Sequence, residues 1–187
     1  GAWINEAWAL EQTAKMTPRQ VTYRLQPHIL TNAHVWSSDS QWIVYDVRSP
    51  GHFDGRYIEQ VHVKTGDVQR LYTTKNDAFC GVVTYHPRRP EVVFILGPEH
   101  PGVDWTYAAS RRRGVTVNVG EAARGTAVAL DAMNYGEPFV AGALRGGSHV
   151  HMFSPDGEWI SFTYDDALLT AFDADPHSPP HDPNSRA

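Results

Sequence analysis

The chain has 187 residues, of which 41% are hydrophobic, and this is enough for one domain with a buried core. The formal net charge of −5 arises from 16 basic and 21 acidic residues scattered along the sequence, so no basic face is available for a nucleic-acid backbone or an anionic membrane. The single cysteine, Cys80, excludes a disulfide within the chain, and its apolar neighbours predict a buried thiol.

The sequence shows no signal for membrane insertion or export. No apolar run approaches the roughly 20 residues that a transmembrane helix needs. Residues 1–15 lack the basic start and the hydrophobic block of a secretion signal. We therefore expect a cytoplasmic protein without a membrane or nucleic-acid partner.

The hydrophobic pattern predicts an all-β chain. Helical periodicity is limited to residues 5–15 and to a short segment near Ala122. Elsewhere, short runs of β-branched and aromatic residues are separated by Gly, Pro, Asp and Ser, which is the pattern of strands and turns. The predicted strands are, in chain order, Val21–Leu25, Trp42–Val47, Tyr57–Val63, Val82–Tyr85, Val92–Leu96 and Trp159–Tyr164.

An internal repeat extends over most of the chain. The segment AHVWSSDSQWIVYDV, which begins at Ala33, aligns without a gap with VHMFSPDGEWISFTY, which begins at Val150. Trp42 of the first copy then corresponds to Trp159 of the last. A weaker copy, VVTYHPRRPEVVFI, begins at Val82 and lies between them.

Each copy has the same design: a strand that ends in an aromatic residue, a tight turn in which Asp or Ser hydrogen-bonds its own backbone, and a second strand. One such unit cannot bury both of its faces. Radial stacking of units, with four strands per blade, buries the faces and leaves only short edges, which predicts a β-propeller. A β-sandwich whose hairpins are alike by chance is the alternative.

The motifs of the chain resemble those of a bacterial family. The segment SPDGEWISF at residues 154–162 is similar to the repeat of TolB-like propellers. The wider set resembles the YidR-type family of uncharacterised TolB-like β-propeller proteins, and LRGGSHVH is its most specific part. The segments that carry the resemblance are Leu30–Trp36, Asp39–Arg48, Gly81–Pro87, Gly97–Pro101, Arg112–Gly114 and Leu144–Pro155.

This resemblance implies a domain organisation. It covers residues 16–187, which we interpret as about three blades from the N-terminal part of a TolB-like β-propeller that is truncated at its C-terminus, because a closed ring requires further blades. Residues 1–15 lie outside the resemblance and are interpreted as an upstream or linker segment.

His149 and His151 are the first candidate metal ligands. Residues two apart on a strand share a face, so the two imidazoles can converge on one ion. The resemblance adds that the strand leading into the SPDG turn is the innermost one in such propellers, beside the central channel. Two structural histidines that hydrogen-bond neighbouring blades are the alternative.

A His-x-His strand before such a turn also resembles the oligogalacturonate lyases, another TolB-like propeller family. Histidines of those enzymes hold a manganese ion that helps to bind an acidic sugar, so this resemblance implies manganese as the cofactor. Imidazole ligands also suit iron, nickel and zinc, and the sequence by itself does not name the metal.

His34 and Asn32 occupy in the first copy the places of His151 and His149. In a ring of blades both side chains would point at the channel. We therefore expect His34 to supply a third nitrogen ligand and Asn32 to bind the ligand, with a merely polar channel lining as the alternative.

Arg145 is the candidate for binding an acidic ligand. It precedes Gly146 and Gly147, which let backbone and ligand approach closely, and its guanidinium can bind a carboxylate through two N–H groups. An arginine stacked between blades or on a tryptophan is the alternative.

Two functions remain open at this point. The first is a propeller scaffold whose central channel binds a small molecule, a carbohydrate or a protein partner. The second is a metal-dependent lyase of acidic oligosaccharides, in which His149 and His151 hold the metal and Arg145 stabilises the developing charge. The sequence identifies no catalytic base.

Overall fold

The computed structural model describes residues 18–177, so the helix predicted at residues 5–15 and the upstream segment 1–15 lie outside the described residues. The strands are β1 Trp42–Val47, β2 Tyr57–His62, β3 Val68–Thr73, β4 Cys80–Tyr85, β5 Glu91–Leu96, β6 Arg113–Asn118, β7 Val128–Ala129, β8 Gly146–Phe153 and β9 Ile160–Asp166. Within the described residues, one α-helix, α1, spans Ala167–Ala174, and single 3-10 turns lie at Ala109–Arg111 and Glu121–Ala123.

The strands form three antiparallel sheets. The first sheet has the order β1-β2-β3, the second sheet β4-β5-β6-β7 and the third sheet β8-β9. The prediction of a mainly β chain is therefore confirmed, and no sheet closes on itself within residues 18–177. Strands β1, β2, β4, β5 and β9 lie where the sequence predicts strands.

The predicted strand at Val21–Leu25 is wrong, because this segment pairs with no strand among residues 18–177. Its side chains hold it instead. Arg24 donates hydrogen bonds of 2.9 and 2.8 Å to the two carboxylate oxygens of the buried Glu59, and Val21 packs on the first sheet beside Tyr45. The segment therefore has the composition of a strand because its side chains pack on the sheet, but its backbone does not hydrogen-bond to a neighbouring strand.

The helix α1 has no counterpart in the sequence-based prediction. Its first turn is capped by Asp166, whose side chain accepts hydrogen bonds from the backbone N–H groups of Leu168 and Leu169. The helix follows β9 directly and begins at Ala167, beyond the end of the strand predicted at Trp159–Tyr164. Neither this helix nor any other helical turn in residues 18–177 has the length and apolar character needed to cross a membrane.

The three sequence copies fold into hairpins of one register. The closing pairs are Trp36 with Ile43, Tyr85 with Val92 and Phe153 with Ile160. In each hairpin the residue after the aromatic donates its N–H to the carbonyl of the residue five positions later in the chain, as in the 2.9 Å bond from Ser154 to Trp159. The internal repeat is therefore a structural repeat.

The hairpin turns of the first and third copies match atom for atom. In the first copy, the hydroxyl of Ser37 donates to Asp39 at 2.6 Å and accepts from the N–H of Trp42 at 2.9 Å. The third copy repeats both bonds, between Ser154 and Asp156 at 2.5 Å and from Trp159 to Ser154 at 3.0 Å. The turn chemistry predicted from the sequence is confirmed.

The main core lies between the first and second sheets. Tyr72 of β3 packs on Phe94 of β5, with 5.1 Å between their ring centroids, and Phe94 is fully buried. Burial of each such side chain contributes roughly 1.5–3 kcal/mol. The core is formed by Val35, Val44, Ile58, Leu71, Tyr72, Ala78, Cys80, Val83, Tyr85, Val92, Phe94, Leu96, Val115 and Val117.

His86 joins the second and third copies. Its Nδ1 accepts the N–H groups of Arg88 and Arg89 at 3.0 and 2.9 Å, so Nε2 carries the proton and donates to the carbonyl of Gly157 at 3.1 Å. The ring also packs edge-on against Phe153. Gly157 has a φ of +78° and no room for a Cβ beside the imidazole, so glycine is required there.

A β-bulge recurs in the first strands of the second and third copies. Val82 of β4 and Val150 of β8 are equivalent in the repeat, and both have positive φ angles, 60° and 55°. The register of each strand shifts at this point. A β-branched residue in this conformation costs about 1–3 kcal/mol, so surrounding contacts must hold it.

Asp46 of β1 provides such contacts for the bulge of β4. Its buried carboxylate accepts the N–H groups of Val82 and Val83 at 2.7 and 3.1 Å, and it also binds Nε of Arg48 at 3.0 Å and the hydroxyl of Thr31. One side chain of the first sheet thus satisfies two backbone donors of the second.

Replacement of Asp46 by alanine should destabilise the protein by about 3–5 kcal/mol, because it leaves two buried amides and the Nε of Arg48 without a partner. Urea unfolding followed by circular dichroism measures this loss. The exposed Asp104→Ala variant is the control and should stay within about 0.5 kcal/mol of the wild type. Equal stability of the two variants would contradict the role given to Asp46.

Candidate functional site

The bulge in β8 separates the two predicted metal ligands. His149 is the cross-strand partner of Thr163, whereas the ring of His151 lies against that of Phe162, with 5.7 Å between centroids. Phe162 and Thr163 are adjacent on β9 and therefore point to opposite faces. The two imidazoles then also lie on opposite faces, and the simple alternation from which their convergence was predicted is wrong, because Val150 adds one residue to the strand.

His151 lies between the second and third sheets. It is fully buried, its Nε2 is 2.9 Å from the hydroxyl of Ser148, and a Cβ at Gly114 of β6 would be only 2.5 Å from the same nitrogen. Val83, its equivalent in the second copy, lies in the core between the first and second sheets. The Nδ1 atom of His151 has no hydrogen-bond partner among the described residues.

Burial sets the charge of both histidines. Burial and, secondarily, the neighbouring His149 lower the pKa of His151 from 6.5 to about 4. Burial and the positive charge of Arg112 lower the pKa of His149, against the opposing effect of Asp165. Both imidazoles are therefore neutral near pH 7.

His34 and Asn32 connect the first copy to β4. The carbonyl of the exposed His34 accepts the N–H of Tyr85 at 2.7 Å, and the amide nitrogen of Asn32 lies 3.4 Å from the carbonyl of Val82. In residues 18–177 no group of three or more His, Cys, Asp or Glu side chains is arranged to hold a metal ion. A metal held by His149, His151 and His34 together stays a prediction.

Arg145 binds a carboxylate of the protein itself. Its Nε and one terminal nitrogen lie 3.1 and 2.8 Å from the same oxygen of Asp166, the capping residue of α1, and its guanidinium lies over Phe139. Gly146 and Gly147 allow the close approach of backbone from Asp165 and Ala109, where a Cβ would collide. Arg145 therefore binds a carboxylate and the two glycines allow a close approach, as predicted, but the partners are groups of the protein and not a ligand.

A cleft between the first and second sheets presents a different set of side chains. It has a volume of about 270 Å³, just below the roughly 300–1,000 Å³ of typical ligand pockets. The cleft opens beside the hairpin turns of the first two copies, at one end of the two sheets. We call it the turn-end cleft; its lining residues are Ser37, Ser38, Asp39, Trp42, Gln60, Gln69, Tyr85, Arg89, Pro90, Val119, Gly120 and Arg124.

Two glutamines form the floor of the turn-end cleft. Gln60 of β2 and Gln69 of β3 are cross-strand partners, and Nε2 of Gln60 donates to Oε1 of Gln69 at 2.9 Å. The hydroxyl of Tyr85 donates to Oε1 of Gln60. Burial is the main cause of a raised pKa at Tyr85, so its hydroxyl keeps its proton. The amide nitrogen of Gln69 is left without a partner in the described part of the chain.

Sequence reasoning missed this cleft. Its residues come from a hairpin turn, from two neighbouring strands and from the loop after β6, and only the packing of the sheets brings them together. One signal was available: Glu59 and Gln60 are two consecutive polar residues inside the apolar strand YIEQVHV, and both are buried. Buried polar side chains require partners, which points to a polar cluster at this strand.

The described residues define an antiparallel β protein made of repeated hairpins with a polar cleft between its first two sheets. The chain belongs to the DUF3748 family of proteins of unknown function, whose model matches residues 79–186. It is also 46% identical over 156 residues to the uncharacterized protein YidR of Escherichia coli (strain K12). The predicted relation to the YidR-type family is confirmed.

The match to YidR covers 83% of this chain and 36% of the relative, so the chain spans about a third of the length of the curated relative it matches. No solved structure matches the chain.

The free energy of unfolding should decrease as the pH falls from 6.5 to 4, because the unfolded chain protonates His151 in this window and the folded protein does not. His151→Val, which introduces the residue found at the equivalent Val83, should remove part of this decrease. Urea unfolding at several pH values measures it, with the exposed His52→Val as the control. An unchanged pH dependence in the His151 variant would refute the assignment.

Proposed function

We propose that this chain contributes three blades to a TolB-like β-propeller that serves as a ligand-binding scaffold, with residues 16–187 as the blades and residues 1–15 as a preceding segment. The common register of the three hairpins supports this architecture. So do the hydrogen bonds between consecutive inner strands, from the N–H of Tyr85 to His34 and from the hydroxyl of Thr84 to His151. Radial stacking of sheets joins inner strands in this way.

The ligand is proposed to bind in the turn-end cleft. The observation that carries this proposal is the set of hydrogen-bond donors that face the cleft without a protein partner. Gln69 offers its amide nitrogen, and Arg124 uses only its Nε, in a 2.8 Å bond to the carbonyl of Val119. Polar groups in folded proteins are usually paired, so converging unpaired donors in a concave site suit a ligand that accepts hydrogen bonds.

The cleft suits this role better than the residues that the sequence predicts. Arg145 is paired with Asp166, and the amide of Asn32 is directed to the carbonyl of Val82. Trp42, by contrast, presents an indole to the cleft and is braced edge-on by His62, with 4.9 Å between ring centroids. An immobilised aromatic ring next to unpaired donors is a common arrangement for small polar ligands.

Binding should depend on Trp42. A panel of sugars, sugar acids and amino acids is tested by ligand-observed NMR, and hits are measured by calorimetry. Trp42→Ala should weaken a hit by about tenfold, because the ligand loses an apolar wall. The control is Trp159→Ala, which changes the equivalent residue of the third copy, 76% exposed and outside the cleft. No hit from the panel, or equal binding to both variants, would count against the proposal.

A metal-dependent lyase of acidic oligosaccharides, by resemblance to the oligogalacturonate lyases, is the second candidate. Its structural support is the buried Nδ1 atom of His151, which is unpartnered in the described part of the chain. Manganese binding at His149, His151 and His34 stays a prediction, and it requires the bulge at Val150 to rearrange.

Elemental analysis of the purified protein tests this second candidate. A transition metal bound in stoichiometric amount to the wild type and lost in the His149→Ala/His151→Ala double variant would support it. Equal metal content in the wild type and the double variant would refute a site at these residues. A His52→Ala variant, changed at an exposed histidine, controls for loss of adventitious metal.

A further inference from the structure

Two opposite charges line the turn-end cleft without pairing. Asp39 comes from the hairpin turn of the first copy, and Arg124 follows the 3-10 turn after β6. No ion pair joins them in the described part of the chain, and neither has another ionic partner there. Burial raises the pKa of Tyr85, Asp39 raises it further and Arg124 lowers it, so both charges are near the same hydroxyl.

Asp39 is held as a carboxylate. Its Oδ1 accepts the hydroxyl of Ser37 at 2.6 Å and the N–H of Gln41 at 3.0 Å, and these two bonds lower its pKa. Its second oxygen makes no hydrogen bond to the described residues. A fixed, ionised oxygen at the rim of a cleft suits a cationic group.

Arg124 is held as a donor. Its Nε binds the carbonyl of Val119 at 2.8 Å, which orients the guanidinium and leaves both terminal nitrogens without a described partner. The unpaired amide of Gln69 lines the same cleft. Arg89, the other cation of the lining, lies 3.5 Å from Glu91 and is already compensated.

The unpaired charges of the cleft therefore sum to zero. A simple anion would face the uncompensated carboxylate of Asp39, and a neutral sugar would use neither charge. A small molecule that carries one cation and one anion satisfies both. The remaining wall, made by Trp42, Pro90 and Val119, is apolar and suits a hydrocarbon side chain.

We propose that the turn-end cleft binds a free α-amino acid with an apolar side chain. Its carboxylate is bound by Arg124 and the amide of Gln69, its ammonium group by Asp39, and its side chain lies against Trp42. This inference rests on the proposed function of the cleft and names the class of its ligand.

Three probes of matched shape test the inference by calorimetry on the full chain. L-leucine carries both charges, N-acetyl-L-leucine lacks the ammonium group and L-leucinamide lacks the carboxylate. We expect L-leucine to bind, leucinamide to bind about tenfold more weakly and N-acetyl-leucine about threefold more weakly, because Arg124 makes charge-assisted bonds within the cleft and Asp39 is exposed at its rim.

Two variants assign each charge to its residue. Arg124→Gln should remove the preference for leucine over leucinamide, and Asp39→Asn, which retains the turn-forming Oδ1, should remove the preference over N-acetyl-leucine. Asp156→Asn, in the identical turn of the third copy, and Arg56→Gln, at an exposed pair with Asp77, are the matched controls. Circular dichroism confirms that all four variants fold.

The outcomes separate the two proposals. The amino-acid inference is overturned if the preferences for leucine persist in the variants. It is also overturned if leucine fails to bind while a sugar or sugar acid binds in a Trp42-dependent way. In both cases the cleft remains a binding site. If no compound of the panel binds, both the inference and the proposed function fail.

Discussion

The carboxylate of Asp46, a residue of the first sheet, accepts hydrogen bonds from two consecutive N–H groups of the second sheet, those of Val82 and Val83. This contact holds Val82 in a backbone conformation that a β-branched residue avoids. It also fixes how the second sheet stacks on the first. The core around Phe94 and the turn-end cleft both lie between these two sheets, so both depend on the contact made by Asp46.

The bulge that Asp46 holds in β4 recurs in β8, and there it decides which face of the strand each side chain takes. Without the bulge, His149 and His151 would share a face of β8. With the bulge, His151 lies between the second and third sheets, just as its equivalent Val83 lies between the first and second sheets. A histidine at a core position remains neutral because burial penalises its charge, and this explains the low pKa of His151.

The hairpin turns show how one repeated motif supports different roles. The turns at Asp39 and Asp156 have the same hydrogen bonds, and the first borders the turn-end cleft, which it forms with the following four-stranded sheet. The tryptophan that follows each turn differs in the same way: Trp42 lines the cleft, whereas Trp159 is largely exposed. Equivalent residues therefore have equivalent local structure and different surroundings.

The sequence by itself determined the β class, the repeat, the turn chemistry and the family, because these follow from local hydrogen bonding and from the spacing of apolar residues. It could not show that Val21–Leu25 is held by Arg24 and Glu59 rather than by a strand partner. Only the tertiary structure decided the bulge of β4, which depends on a carboxylate from another sheet, and the cleft, whose residues are distant in the chain. Stacking of the sheets brings Asp39 and Arg124 to one site, and this stacking cannot be predicted from local sequence patterns.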